Sequence, residues 1–344
     1  MTTSVADQLR QILQHRIMVL DGAMGTSIQG YPLEEEDFRK GYFEDHPRPL
    51  KGNNDLLSLT RPDIIEEIHD SFFEVGCDFA CTNAFSGTTI AQADYALESA
   101  VYDINYQSAQ CARRSADRWT QKTPDQPRFV VGCLGPTNRT ASISPDVNDP
   151  GKRLVTFDDL VTAYKQAAEA LIDGGVDAIM VETVFDTLNA KAAVFAVLLI
   201  KQERQLDIPL MVSGTITDAS GRTLSGQTAE AFWISLAHGE LFSIGLNCAL
   251  GADEMLPHIS TLDKHATCFV SAHPNAGLPN EFGEYDQSPE QMAELVRPFL
   301  ADGHVNIIGG CCGTTPAHLK AIKALADEYS PRLLPAQRKE VADV

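Results

Sequence analysis

The sequence lacks the features that would place it in a membrane or on a nucleic acid. No stretch of about 18 consecutive apolar residues occurs, so no transmembrane helix is predicted. Residues 1–16 are polar and lack the apolar run and small-residue cleavage site of a signal peptide. Lys and Arg total 27 against 47 Asp and Glu, and the net charge of −20 repels phosphate groups and anionic lipids. We therefore expect a cytoplasmic protein with neither nucleic acid nor membrane as a partner.

The motifs of several common enzyme classes are also missing. The chain contains no Gly-x-Gly-x-x-Gly, no Walker A loop, no His-Glu-x-x-His and no Gly-x-Ser-x-Gly. Dinucleotide-binding, nucleotide-binding, zincin and serine-hydrolase functions therefore have no support at the residue level. The eight cysteines are too widely spread for a disulfide-stapled scaffold. In a reducing compartment they are core thiols, metal ligands or catalytic groups.

The chain does contain a repeated alternation of short β-rich runs and segments with helical apolar spacing. Strands are predicted at 17–20, 78–82, 129–133, 178–182, 210–214, 243–247, 268–272 and 305–308. Helices are predicted at 62–75, 95–119, 157–172, 186–205, 229–237, 254–262, 289–301 and 316–329. Eight such units are typical of a (β/α)8 TIM barrel, a single α/β domain. An open doubly wound sheet is the alternative, but its usual Gly-rich first turn is missing.

We expect the barrel to span residues 17–330, after an N-terminal helix or extension at 1–16 and before a C-terminal tail or linker at 331–344. The segments after the predicted strands are the long ones, at 21–61, 134–156, 215–228 and 273–288. They are rich in Gly, Pro, Asn, Ser and Thr, whereas the connections from helix to strand are short. The long loops should therefore meet at the C-terminal face, where barrel enzymes hold their catalytic residues.

Three cysteines lie at the ends of two predicted strands. Cys248 follows the sixth strand, and Cys311 and Cys312 follow the eighth. Adjacent residues of a regular strand face opposite ways, so both sulfurs of the pair can face one point only if the backbone turns, which the flanking glycines permit. Three thiolates suit zinc and leave a fourth position for a substrate. The pattern predicts a catalytic zinc on these cysteines, with core thiols as the alternative interpretation and His273 as an alternative ligand.

Four motifs resemble the homocysteine S-methyltransferase family, and the resemblance spans about residues 10–328. The motifs are Asp21-Gly-Ala-Met-Gly-Thr26, Val181-Glu-Thr183, Gly245-Leu-Asn-Cys248 and Gly309-Gly-Cys-Cys-Gly-Thr314. Longer runs at 51–57, 134–150 and 214–228 resemble the N-terminal module of cobalamin-dependent methionine synthase. The resemblance implies a zinc-bearing barrel that methylates homocysteine to methionine, with the three cysteines as metal ligands.

The same resemblance places residues that would bind the amino-acid part of homocysteine. The candidates are Asp21, Gly22, Ala23, Glu182, Asn83 and Asn275. Asp21 and Glu182 match positions where the family holds the amino group, and carboxylates supply charge-assisted hydrogen bonds to an ammonium. The glycine and alanine after Asp21 can offer backbone N–H groups to the carboxylate. Asn83 and Asn275 touch substrate or order loops, and Asn275 is a candidate for the open metal position before substrate binds.

No motif in this chain identifies the methyl donor. A corrinoid-binding Asp-x-His-x-x-Gly is absent, and the residues after 328 are too few for a cobalamin or folate domain. The resemblance implies methylcobalamin from outside this segment, with cobalamin-binding and methyltetrahydrofolate-binding modules in cis or in trans. One alternative is a standalone enzyme that uses S-methylmethionine or betaine, with Tyr31, Tyr42 and Phe43 available to recognise the cation. The other is a metal-free barrel whose Cys311 and Cys312 sense redox state.

Overall fold

The computed structural model describes residues 4–217 and 220–342. Its strands are β1 (Met18–Val19), β2 (Phe79–Cys81), β3 (Phe129–Leu134), β4 (Ala178–Val184), β5 (Leu210–Gly214), β6 (Ser243–Asn247), β7 (Phe269–His273) and β8 (Ile307–Ile308). The helices are α1 (Val5–His15), α2 (Met24–Gln29), α3 (Leu57–Thr60), α4 (Pro62–Glu74), α5 (Thr89–Gln92), α6 (Val101–Lys122), α7 (Phe157–Asp173), α8 (Thr187–Arg204), α9 (Ala229–Leu236), α10 (Ala252–His265), α11 (Pro289–Ala301), α12 (Pro316–Ala326) and α13 (Pro335–Ala342). Among these helices, none combines the length and the hydropathy needed to cross a bilayer.

The strands form one parallel sheet that is almost closed on itself. Their order is β1-β8-β7-β6-β5-β4-β3-β2, so the first two strands are the sheet edges. Leu20 forms a parallel bridge with Phe79, and the N–H of Asp78 donates to the carbonyl of Val19 at 2.7 Å. These contacts join the edges, which stay apart in an open doubly wound sheet. The predicted (β/α)8 barrel is confirmed.

Alternate residues of the strands pack in two different layers. Val212, Ile244 and Val270 belong to the large apolar cluster that includes the surrounding helices. Their neighbours along the strands point into the barrel, where an inner cluster also contains Leu9 and Leu13 of α1. Because both leucines are buried in that inner cluster, α1 covers the N-terminal end of the barrel. The C-terminal end is left open for a site.

The local sequence explains where several helices begin. Proline occupies the first turn of α4, α11 and α12, where its missing N–H costs no helical hydrogen bond. Thr156 and Asp159 form a capping box at the start of α7. The predicted helix 95–119 begins later, at Val101, because Ala96 has a left-handed φ of 56° that interrupts the helical backbone.

The chain after the last barrel helix remains in contact with the barrel. Arg332 is buried, and its guanidinium donates to the carboxylate of Asp263 at 2.7 Å and to the carbonyl of Ala266 at 2.7 Å. Arg338 of α13 pairs with the same carboxylate. The segment interpreted from the sequence as a tail or linker thus includes a helix and a buried arginine.

Candidate metal centre and active site

A cavity of about 840 Å³ opens at the C-terminal end of the barrel. Residues of β4 and residues at or after the C-terminal ends of β1, β2, β6, β7 and β8 line it, so several long loops meet at the face where they were expected. The predicted site residues on its wall are Asp21, Gly22, Ala23, Asn83, Glu182, Cys248, Cys311 and Cys312. Asn275 is not among the lining residues.

The three predicted thiols converge on one side of this cavity. Their sulfurs all lie within 4.8 Å of one another, and the sulfurs of Cys248 and Cys312 are 3.4 Å apart. In a tetrahedral site with Zn–S bonds of about 2.3 Å, two sulfurs are separated by about 3.8 Å. The group therefore has the size and the donor chemistry of a site for one zinc ion. Among the described residues it is the only such group of three potential metal ligands, and His273 is not a member.

A sharp backbone turn after β6 places Cys248. Cys248 has φ 63° and Ala249 has φ 60°, both in the left-handed region that non-glycine residues rarely occupy. Two hydrogen bonds hold the turn: the N–H of Cys248 donates to the carbonyl of His273 at 3.2 Å, and that of Leu250 donates to the carbonyl of Cys248 at 2.7 Å. Strain that is held in this way is typical of functional sites.

The loop between β7 and α11 fixes the two adjacent cysteines. The N–H of Cys311 donates to the carbonyl of Pro274 at 2.9 Å, and the N–H of Ala276 donates to the carbonyl of Cys312 at 3.0 Å. Gly313 then reverses the chain with φ 77°, which glycine adopts without a side-chain clash. The expected glycine turn is present, and both sulfurs face the cavity.

Carboxylates form another wall of the cavity. Asp21 is only 2% exposed, and its Oδ2 accepts the N–H of Cys81 at 2.9 Å. Burial raises the pKa of Asp21 to about 8, and the nearby charge of Glu182 adds to the effect. Burial likewise raises the pKa of Glu182 to about 7 and that of Asp55 to about 7. Among the described residues no lysine or arginine lines the cavity, so these carboxylates can receive a cationic group from outside.

A family assignment follows from comparison with known proteins. A model of the homocysteine S-methyltransferase family matches residues 18–326. The chain belongs to the homocysteine S-methyltransferase family. This membership, which covers nearly all of the barrel, makes the protein a methyltransferase.

Solved structures share the fold of this methyltransferase. The metallated form of the homocysteine methyltransferase MmuM from Escherichia coli matches with a TM-score of 0.72 and 21% identity, over 92% of this chain and 99% of that chain. Its oxidized form matches with a TM-score of 0.70 and 20% identity, over 90% and 95%. The B12-independent methionine synthase from Shewanella sp. W3-18-1, in complex with selenomethionine, matches with a TM-score of 0.51 and 13% identity, over 96% and 100%. At such identities the likeness shows a common barrel.

Hydrogen bonds join the loop after β1 to the loop after β8, which carries Cys311 and Cys312. The hydroxyl of Thr314 donates to the carbonyl of Cys311 at 2.7 Å and accepts the N–H of Ala23 at 3.2 Å. The N–H of Gly313 donates to the hydroxyl of Thr26 at 3.1 Å. A substrate carboxylate would have to compete with Thr314 for the N–H of Ala23. Sequence analysis gave Thr314 no role, although it closes the last of the four motifs.

The two predicted asparagines occupy different surroundings. The amide of Asn83 donates to the carbonyl of Asn54 at 2.8 Å and to the hydroxyl of Ser58 at 3.2 Å, so it orders a loop while it lines the cavity. Asn275 is buried, and no described group donates to its Oδ1. The residues on both sides of it form hydrogen bonds with the backbone of Cys311 and Cys312, so the backbone of Asn275 lies next to the two cysteines.

Tyr285 is a further site residue that sequence analysis missed. It lines the cavity, and its hydroxyl interacts with the sulfur of Cys312. Burial and the neighbouring sulfurs raise the pKa of Tyr285 to about 12, so the hydroxyl keeps its proton and donates. Donation from Cys248, Cys311 and Tyr285 lowers the pKa of the Cys312 thiol below its ordinary value. Nothing in the local sequence of this long loop indicates the contact.

Proposed function

We propose that this methyltransferase methylates the sulfur of homocysteine to form methionine, with zinc held by Cys248, Cys311 and Cys312. The supporting observation is that three thiols and several carboxylates without basic partners face one cavity. Homocysteine carries a thiol and an ammonium, which are the groups that these two walls bind. Family membership supports the same substrate.

The zinc proposal rests on the donor set. Three thiolates at the observed separations provide three of four tetrahedral positions, and a substrate sulfur would take the fourth. When bound, the ion supplies a Lewis acid that favours the thiolate over the thiol, whose ordinary pKa is about 8.5. The amide of Asn247 donates to the sulfur of Cys311 and helps to keep this ligand in place, and the hydroxyl of Tyr285 interacts with the sulfur of Cys312.

We assign the ammonium of homocysteine to Asp21 and Glu182. Both carboxylates are held in the cavity wall, and an arriving ammonium favours their charged forms, which burial disfavours. Gly22, the N–H of Ala23 and Asn83 line the same cavity and are proposed to hold the substrate carboxylate. Asn275 is proposed as a residue that would hold the metal through Oδ1 before substrate binds, because its backbone lies next to the two cysteines and Oδ1 has no described donor.

We propose methylcobalamin as the methyl donor, held on another module or chain that also receives methyl groups from a methyltetrahydrofolate-binding module. The homocysteine sulfur attacks the methyl group, and the carbon–sulfur bond forms as the bond to the donor breaks. The open cavity supports a large donor, and the exposed aromatic side chain of Phe85, 43% exposed, lines it. Eight cysteines without disulfides support a cytoplasmic location.

A small cationic donor is the second candidate. Tyr31, Tyr42 and Phe43, the aromatic residues offered for it by the sequence, do not line the cavity. Phe85, Tyr95 and Tyr285 line it instead and can contact the methyl groups of S-methylmethionine or betaine. The donor therefore has to be identified by assay.

The decisive experiment offers homocysteine with methylcobalamin, S-methylmethionine or betaine in separate reactions and measures methionine. Methylcobalamin should support turnover and the two small donors should not. Turnover with S-methylmethionine or betaine alone would establish the standalone enzyme in its place.

Metal analysis tests the thiol site independently of turnover. We expect one zinc ion per chain in the isolated protein and none in Cys312→Ala. Cys268→Ala is the matched control, because Cys268 lines a separate cavity at the starts of β6 and β7 and should leave the zinc content unchanged. Metal-free wild-type protein with an oxidisable thiol pair would support the redox-sensing barrel.

A further inference from the structure

Strand β4 is irregular at the point where it presents Glu182 to the cavity. Val181 pairs with Val212 and Val184 pairs with Gly214, so β4 contains one residue more than β5 over this interval. Thr183 lies in this bulge and has φ 55°. A β-branched residue in the left-handed region costs on the order of 1–3 kcal/mol. Other groups must therefore hold the bulge that directs Glu182.

Asn247, at the end of β6, contacts the backbone N–H and the hydroxyl of the strained Thr183. Its Oδ1 accepts the N–H of Thr183 at 3.0 Å, and its Nδ2 donates to the hydroxyl of Thr183 at 2.8 Å. Oδ1 also accepts the hydroxyl of Ser213 at 2.7 Å. A backbone N–H can only donate, so the oxygen of the amide must face Thr183 and the orientation of the amide is fixed.

The same amide also contacts one of the three clustered cysteines. With Oδ1 on Thr183, the Nδ2 of Asn247 lies 3.8 Å from the sulfur of Cys311 and donates to it. The side chain is 3% exposed, and both acceptor positions and both donor hydrogens have partners. The next residue in the chain is Cys248. One buried amide thus links the strand of Glu182 to the loop of Cys311, and its own strand carries the third thiol.

We propose that Asn247 is a positioning residue that fixes Glu182 relative to the three thiols. It thereby sets the distance between the groups that take the ammonium and the sulfur of homocysteine. This inference rests on the function proposed above. The role requires an amide, because aspartate has no donor for the sulfur of Cys311 and a hydrocarbon would leave the N–H of Thr183 and the hydroxyl of Ser213 without a partner.

The test compares two ligands on the isolated protein by calorimetry. Homocysteine needs both the thiol site and the ammonium site, whereas 4-mercaptobutanoate has the same thiol and carboxylate but no amino group and makes no demand on Glu182. In Asn247→Asp the affinity for homocysteine should fall about tenfold or more, the cost of misplacing a charged hydrogen bond, while the affinity for 4-mercaptobutanoate changes little. A residue with a merely structural role would not change the ratio of the two affinities.

Asn306→Asp is the matched control. Asn306 is also a buried asparagine, and its amide joins the N–H of Val270 at 3.0 Å to the carbonyl of Arg332 at 2.8 Å, away from the cavity. Its substitution should lower the melting temperature and leave the ratio of affinities unchanged. If Asn247→Asp does not fold, Thr183→Val tests the same contact, because it removes the hydroxyl that the amide holds. The same change in ratio is expected.

The outcomes separate this inference from the proposed function. A wild-type protein that binds neither homocysteine nor 4-mercaptobutanoate overturns the proposed function, and the inference falls with it. A wild-type protein that binds both, together with an Asn247→Asp variant that keeps the wild-type ratio or loses both affinities equally, overturns the inference alone.

Discussion

Because His69 of α4 is buried, we predict that this barrel loses stability in mild acid. The side chain is fully buried at 0% exposure, and no described group forms a hydrogen bond with either ring nitrogen. Burial lowers the pKa of His69 to about 4 from 6.5. The folded protein therefore keeps this imidazole neutral at a pH where the unfolded chain protonates it.

The sign and the size of the effect follow from this difference in pKa. Because the folded pKa is the lower one, the unfolded state binds the extra proton, and the contribution of His69 to stability is lost as the pH falls from about 6.5 to about 4. At 1.36 kcal/mol for each pKa unit, the loss reaches about 2 kcal/mol at pH 5 and about 3 kcal/mol at pH 4. Above about pH 7 the imidazole has no effect on the pH dependence.

The assay is urea unfolding of wild type and His69→Leu between pH 4.5 and 7.5. Leucine fills a similar volume and does not titrate. Between pH 7 and pH 5 the free energy of unfolding should therefore fall by about 2 kcal/mol less in the variant than in wild type. Ile68 is a buried residue of the same helix that does not titrate, and Ile68→Leu should keep the wild-type slope of stability against pH. Equal slopes for wild type and His69→Leu would show that the imidazole takes up its proton at the same pH in the folded and unfolded states, and the reasoning from burial would be refuted.

Three further predictions concern the site and the barrel. Glu182→Gln should weaken the binding of homocysteine about tenfold or more in calorimetry, since a charge-assisted hydrogen bond is lost, and unchanged binding would remove Glu182 from the ammonium site. Gly313→Ala should lower stability by about 1–3 kcal/mol, because φ 77° is strained for alanine and its Cβ would contact Tyr285, and an unchanged melting temperature would contradict this. Leu13→Ala should lower the free energy of unfolding in urea by about 2–5 kcal/mol. A loss below about 0.5 kcal/mol, which is typical of surface substitutions, would mean that α1 does not cover the barrel.

Much of the barrel could be predicted from the sequence because its information is local. Every predicted strand overlaps an observed one, since a buried parallel strand is a short apolar run between turn residues. The delayed start of α6 could not be predicted, because the left-handed backbone of Ala96 depends on the packing of a loop. Apolar spacing alone does not show where a loop ends and a helix begins.

Some residues of the candidate site could likewise be predicted from the sequence, and others could not. Cys248, Cys311 and Cys312 could be placed together because they end strands of one barrel and glycines flank two of them. The role of Asn247 could not be predicted, since it depends on the left-handed Thr183 two strands away in the sheet, and only the folded chain brings the two together. Tyr285 belongs to a long loop whose path over the thiols is set by tertiary contacts.

The helix that covers the far end of the barrel has a consequence for the order of events in the proposed reaction. In the part of the chain that the structure describes, Leu9 and Leu13 fill that end, so the amino acid, the proposed methyl carrier and the product all have to use the opening at the C-terminal end. A bulky carrier bound at this opening blocks the passage of homocysteine and methionine. Homocysteine must then bind before the carrier binds, and methionine can dissociate only after the carrier has dissociated.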